Sequence, residues 1–103
     1  MANMLHRVLH SVNKSPFSST LLKQCLDRLS ESDGLILLED GVYGALLTHP
    51  HAQQLQSLNA CYAIKRDLVA RGLESEALLA NITLIDYEEF VALCVDYELT
   101  HSW

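Results

Sequence analysis

The sequence predicts an α/β fold, a small three-layer sandwich in which a mostly parallel sheet of four to five strands is flanked by helices. Two observations carry this expectation. Leu35-Ile36-Leu37-Leu38 is a run of four large aliphatics ended at once by Glu39-Asp40-Gly41. A strand on a solvated edge alternates apolar and polar residues, so a continuous run points to a central parallel strand covered on both faces. Strand-like and helix-like segments then alternate along the chain, which implies right-handed crossovers with helices on both sides of the sheet. The 103 residues suit one domain, 1–103, and contain no internal repeat, linker or low-complexity tract.

Met4 to Val12 alternates loosely and serves as the first strand, ended by Asn13-Lys14-Ser15-Pro16-Phe17, because Pro16 cannot donate into a ladder. Ser18, Ser19 and Thr20 can cap a first helix whose apolar stripe is Leu21, Leu22, Cys25, Leu26 and Leu29, opposite Lys23, Gln24, Asp27 and Arg28. Ser30 to Gly34 turns into the central strand. Val42 to Leu47, interrupted by Gly44, suits a short helix close to the sheet, and Ala52 to Leu58 a second one with Leu55 and Leu58 inside. Ala60 to Ile64 is the third strand. Asp67 to Leu73 forms a short helix stopped by Gly72 at a left-handed C-cap position, with a further turn over Glu74 to Leu79. Asn81 to Asp86 is the fourth strand and Tyr87 to Val95 the last helix, with Tyr87, Phe90, Val91 and Cys94 on one stripe. Tyr97 to Trp103 is left as a tail that either docks on its own domain or anchors in a partner.

Half of the residues are apolar and only 19% are charged, which is rich for so small a body and favours an oligomer or stable complex. The formal charge of −6 and pI near 5.1 argue against direct binding to nucleic acid, which takes a cationic footprint. No apolar run is long enough to span a membrane, and Arg7, His6 and His10 interrupt the N-terminal segment that a secretory signal would need. The expectation is a soluble cytoplasmic protein without a membrane association. Cys25, Cys61 and Cys94 form no C-x-x-C pair, so they fit free thiols in a reducing compartment better than a disulfide framework or a zinc site.

Few residues carry a chemical signature. Cys25 lies on the apolar stripe of the first helix, where burial opposes thiolate formation, while Lys23 and Arg28 within a turn favour it. Its position alone favours a small buried hydrophobe. Cys61 and Cys94 read as core cysteines. His6 and His10, four apart, and His49 and His51 around Pro50 lack a third ligand for a metal and read as surface or capping residues. Gly34, Gly41, Gly44 and Gly72 match no phosphate-binding loop, and no cofactor is expected. Glu39, Asp40 and Gly41 stand beyond the end of the central strand, where α/β sheets gather ligand and partner sites. A third reading places a small-molecule site at the strand ends among Asp40, Lys65 and Asp86.

Leu9 to Phe17, the run from Leu37 to Val42, Asp67 to Leu73, Ile85-Asp86-Tyr87 with Phe90-Val91, and Trp103 together resemble the DsrH/TusB family of sulfur-relay proteins, over nearly the whole chain in order. The resemblance implies a DsrE-like fold, cytoplasmic location, and assembly with DsrE/TusD-like and DsrF/TusC-like subunits into a heterohexamer; self-association in isolation is also possible. It implies a sulfurtransferase complex that passes persulfide sulfur to a DsrC/TusE-type carrier, in sulfur oxidation or in 2-thiolation of the tRNA wobble uridine. Members resembling the sulfur-oxidation branch carry a cysteine nine residues after the proline of the Lys-Ser-Pro-Phe motif, and Cys25 stands nine after Pro16. Cys25 is therefore the candidate persulfide relay thiol, with the principal sulfur-accepting cysteine on a partner subunit. Trp103, Asp40 and Gly41 are the candidate partner contacts. The alternative is a structural subunit without chemistry of its own, which completes the hetero-oligomer and docks the carrier.

Overall fold

A computed structural model describes residues 7–103. The beginning of the expected first strand, Met4 to His6, and the pairing of His6 with His10 lie outside the described residues. Among the described residues five strands, β1 (Val8–Val12), β2 (Gly34–Leu37), β3 (Cys61–Ile64), β4 (Ile82–Ile85) and β5 (Leu99–Ser102), form one sheet in the order β4-β3-β2-β1-β5. Every pairing is parallel. The aliphatic run occupies the middle strand, and all four residues of β2 are buried, which is why that segment could dispense with polar alternation.

Side-chain alternation along the strands sorts the core into two layers. Val12, Leu35, Leu37, Cys61 and Ala63 face α1 (Leu21–Arg28), the 3-10 segment Glu39–Ala45, α2 (Ala52–Gln56) and α3 (Lys65–Ala70), through Leu22, Cys25, Leu26, Val42, Ala45, Leu55 and Leu68. Leu9, Ile36, Ile64 and Ile85 turn to the other face, where α4 (Tyr87–Asp96) supplies Phe90, Leu93 and Cys94, with Tyr97 just beyond it. The three-layer sandwich is thus lopsided, with three helices on one side and one on the other. α4 runs from the β4 edge to the β5 edge, so it crosses the whole sheet.

The expected elements recur with four corrections. Tyr97 to Trp103 is not a tail but leads into β5, which pairs with β1 from Val8↔Leu99 to Ser11↔Ser102. The helix expected over Val42 to Leu47 begins earlier, at Glu39, and is a 3-10 segment. Gly41 sets that geometry: it sits on the end of β1, and a Cβ there would drive into the Val12 carbonyl, 2.8 Å from its carbon. Glu74 to Leu79 adds no helical turn, because Leu78 bridges Leu46 and the Leu79 amide donates to the Ala45 carbonyl at 2.8 Å. The stripe of α4 is rotated, with Val91 62% and Val95 82% exposed and Leu93 turned inward. The Gly72 stop is as expected, in the left-handed region at φ 69°.

Candidate functional site

The relay candidate Cys25 lies on the inward stripe of α1 with 0% exposure. Burial, and secondarily the charge of Asp33, pushes its thiol up to about 12. Neither flanking cation relieves this. Lys23 is directed to Asp27 at 2.7 Å and to Gln54. Cys61 is also buried, and burial followed by the proximity of Cys25 raises its thiol to about 12. Cys94 packs against the core layer under α4 as expected, but it is only half-buried and lines a recess of about 90 Å³ with Leu9, Ser11, Phe90, Thr100 and Ser102.

The carboxyl ends of the parallel strands meet in a polar network that the sequence only hinted at. Glu39, one residue removed from the end of β2, has φ 50°, a conformation that costs a non-glycine residue roughly 1–2 kcal/mol. Its amide donates to the Asp67 carboxylate at 2.7 Å, and its own carboxylate accepts from the Asn13 side chain at 3.2 Å. The same Asp67 oxygen accepts from the Tyr87 hydroxyl at 2.8 Å. Asp67 therefore joins the exits of β2, β3 and β4. Burial, with the Asp67 bond second, raises the Tyr87 phenol.

Asp40 is largely exposed and accepts from Arg71 Nε at 2.8 Å. Gly41 is buried against Val12 and shapes the turn from inside. Asp86 is committed to the capping box of α4, accepting from the Glu89 amide at 2.7 Å while Glu89 accepts from the Asp86 amide at 3.0 Å. Lys65 is exposed on the first residue of α3. Asp40, Lys65 and Asp86 therefore share the carboxyl rim but do not converge, since both acids already have partners of their own.

Trp103 docks on its own fold. Its indole Nε1 donates to His10 Nδ1 at 2.9 Å, and its ring stacks on His101 at 4.6 Å and 5°. His10 is buried, contrary to the surface or capping role expected of it, and its Nε2 meets Asp33 Oδ2 at 3.0 Å. Asp33 also accepts from the Val8 amide at 3.1 Å and the Ser30 amide at 3.1 Å. Burial pushes this carboxyl up, but the hydrogen bonds from Ser30, His10 and Val8 outweigh it and hold the group below the usual range. His49 is buried as well, with Nε2 on the Gly44 carbonyl at 2.8 Å and Nδ1 accepting from the His51 amide. Desolvation holds it below the ordinary histidine range.

Sequence reasoning missed Asp67, Asp33 and His10 as organising residues. The signal for Asp67 was its place just beyond a strand end; Asp33 read as an ordinary turn acid. No group of three or more His, Cys, Asp or Glu positioned for a metal occurs among the described residues, and no described helix is long and apolar enough to cross a membrane.

Comparison with known proteins places this geometry. The model of the family described as DsrH like protein matches residues 14–99. Protein TusB of Escherichia coli K12 is 37% identical over 97 residues, covering 93% of this chain and all of the relative. Protein TusB of Pectobacterium parmentieri is 36% identical over the same span, again 93% of this chain and all of the relative. Among solved structures, the ychN protein of E. coli shares the fold with TM-score 0.81 at 15% identity, over 96% of this chain and all of that one. The solution structure of Tm0979 from Thermotoga maritima matches with TM-score 0.63 at 28% identity, over 86% of this chain and 92% of that one.

Proposed function

The chain belongs to the DsrH family, and from that premise we propose that it is a subunit of a cytoplasmic sulfur-relay complex, acting chiefly by completing a hetero-oligomer and docking a sulfur carrier. Matching relatives bear the name TusB. Those names favour 2-thiolation of the tRNA wobble uridine as the process served, whereas Cys25, nine residues after Pro16, is the feature that the resemblance links to the sulfur-oxidation branch, the second reading. DsrE/TusD-like and DsrF/TusC-like subunits are the expected neighbours, and a DsrC/TusE-type protein the carrier. The chain takes part as one DsrH-like domain. Asp40 and the face around Trp103 are the candidate contacts, with Gly41 acting through the turn it shapes.

The observation that favours docking over chemistry is the sealed position of Cys25, with 0% exposure and a thiol raised to about 12. Persulfide transfer begins when a thiolate attacks the outer sulfur of a donor persulfide. A new S–S bond forms to that sulfur, the donor's own S–S bond breaks, and the donor departs as a thiolate, as in disulfide exchange. Cys25 can perform this step only if α1 parts from the sheet. The relay reading therefore requires an opened state in the assembled complex.

The two readings separate in one experiment. The complex is purified by co-expression with the two partner-type subunits, incubated with a persulfide donor, and analysed by peptide mass spectrometry. Docking predicts no added sulfur on Cys25 and undiminished transfer to the carrier by a Cys25→Ala complex. Added sulfur on Cys25, with transfer lost in an intact Cys25→Ala assembly, would establish the relay role instead. Failure of the chain to co-purify with those subunits would overturn both.

A further inference from the structure

We propose that β5 is a strap held on the sheet by the neutral form of His10, and that protonation of His10 releases its tip. The argument starts from hydrogen-bond chemistry. An indole nitrogen can only donate, so the atom that receives the Trp103 N–H, His10 Nδ1 at 2.9 Å, must present a lone pair. The ring proton is therefore on Nε2, where it is donated to Asp33 Oδ2 at 3.0 Å. This assignment is self-consistent, because Asp33 also accepts two backbone amides and is held as an acceptor-only carboxylate.

Adding a second proton changes the two sides of the ring in opposite ways. The Asp33 side becomes a full ion pair and strengthens. On the other side Nδ1 becomes a donor facing another donor, so the indole must move away. Histidine is the side chain whose charge ordinarily changes between about pH 5 and 8. The groups facing His10 are Asp33 from the turn before β2, and His101 and Trp103 from β5. His101 works against release, since a protonated ring stacked on the indole would attract it.

Apart from its ladder with β1, from Val8↔Leu99 to Ser11↔Ser102, the body of the strap has little to hold it. All four residues of β5 are exposed, and β5 lies at the sheet edge. Its proximal end is fixed by Tyr97, buried and covered by the Arg7 guanidinium at 4.4 Å. Beyond that ladder, its distal end is held by the Trp103 amide on the Ser11 carbonyl at 2.9 Å, by the Ser11–Ser102 hydroxyl contact at 3.2 Å, and by the indole bond to His10. The strap thus hinges at Tyr97 and closes at His10. Closure belongs to the neutral form of His10 and is lost on its protonation.

Amide hydrogen exchange on the full chain tests this, with rates corrected for their intrinsic pH dependence. Between about pH 7.5 and 5.5, protection of Leu99 to Trp103 should fall about tenfold, the equivalent of one lost hydrogen bond, while β2 keeps its protection. The fluorescence of Trp103, the sole tryptophan, should follow the same transition. His101→Gln should retain the transition and His10→Gln abolish it. Trp103→Phe should leave β5 loosened at both pH values, which keeps the test decisive if His10→Gln does not fold. Unchanged β5 protection in the wild type, a parallel loss in β2, or a pH dependence surviving in either His10→Gln or Trp103→Phe would overturn the proposal.

Discussion

Thiol reactivity at Cys25 can be worked out from the structure and measured directly. The perturbation is alkylation by iodoacetamide, applied to the folded chain and to the same chain in concentrated urea. Burial moves the Cys25 thiol from 9.0 to about 12, and below both values each unit removes a factor of ten in thiolate, so ionisation alone slows Cys25 about a thousandfold. Where reagent reaches the sulfur only through local opening, the opened thiol regains its ordinary acidity and the opening equilibrium itself sets the factor. An opening free energy of about 4 kcal/mol would by itself supply a comparable factor. Differential labelling with peptide mass spectrometry gives each cysteine its own rate. Cys25 and Cys61 should both be protected by three orders of magnitude or more relative to urea, while half-buried Cys94 reacts in the folded chain. Alkylation of folded Cys25 within about tenfold of its rate in urea would refute the reasoning and return the relay role to this thiol.

Other substitutions and conditions have equally definite outcomes. Gly41→Ala forces a methyl into the backbone of Val12, which cannot move as a flexible side chain would; a loss of about 2–3 kcal/mol is expected in urea unfolding, and a wild-type midpoint would contradict the close approach. Asp86→Ala removes the acceptor of the capping box and should cost about 1 kcal/mol without changing the sheet, read from the melting temperature and the far-ultraviolet spectrum. His49 has a folded pKa below its unfolded one through desolvation, so the unfolded chain binds its proton more readily. Its contribution to stability is therefore complete above the ordinary histidine range, about 6.5, and declines as the pH drops below it. Melting temperatures from about pH 8 to 5 should fall, with a shallower slope in His49→Gln; a rise on acidification would reverse the sign.

What the sequence made legible was what local pattern controls. The unbroken Leu35–Leu38 run located the middle of the sheet, and the Gly72 stop and the Leu22-Cys25-Leu26 stripe needed no tertiary information. β5 was not legible because Leu-Thr-His-Ser has neither an apolar run nor an apolar face; it becomes a strand only because β1 offers a free edge and Trp103 finds His10. The same long-range contact explains why His10 looked like a surface histidine, since its partners lie 23 and 93 residues away. On α4 the stripe was displaced because one helix must cover a wide sheet face alone, which turns Leu93 inward and leaves Val91 and Val95 to solvent. Cys25 was legible as a stripe position, but its degree of closure depends on everything packed above it.

The pairing of β1 with β5 joins the earliest described strand to the latest. Without β5 the sheet would end at β1, with β2, β3 and β4 on one side of it and nothing on the other. That flank would present unpaired amides and carbonyls, the kind of template on which strands of other chains can grow. A chain cut short before the segment beyond Tyr97 would therefore expose the border of β1, whereas β5 covers it and leaves a short, polar strand as the edge in its place.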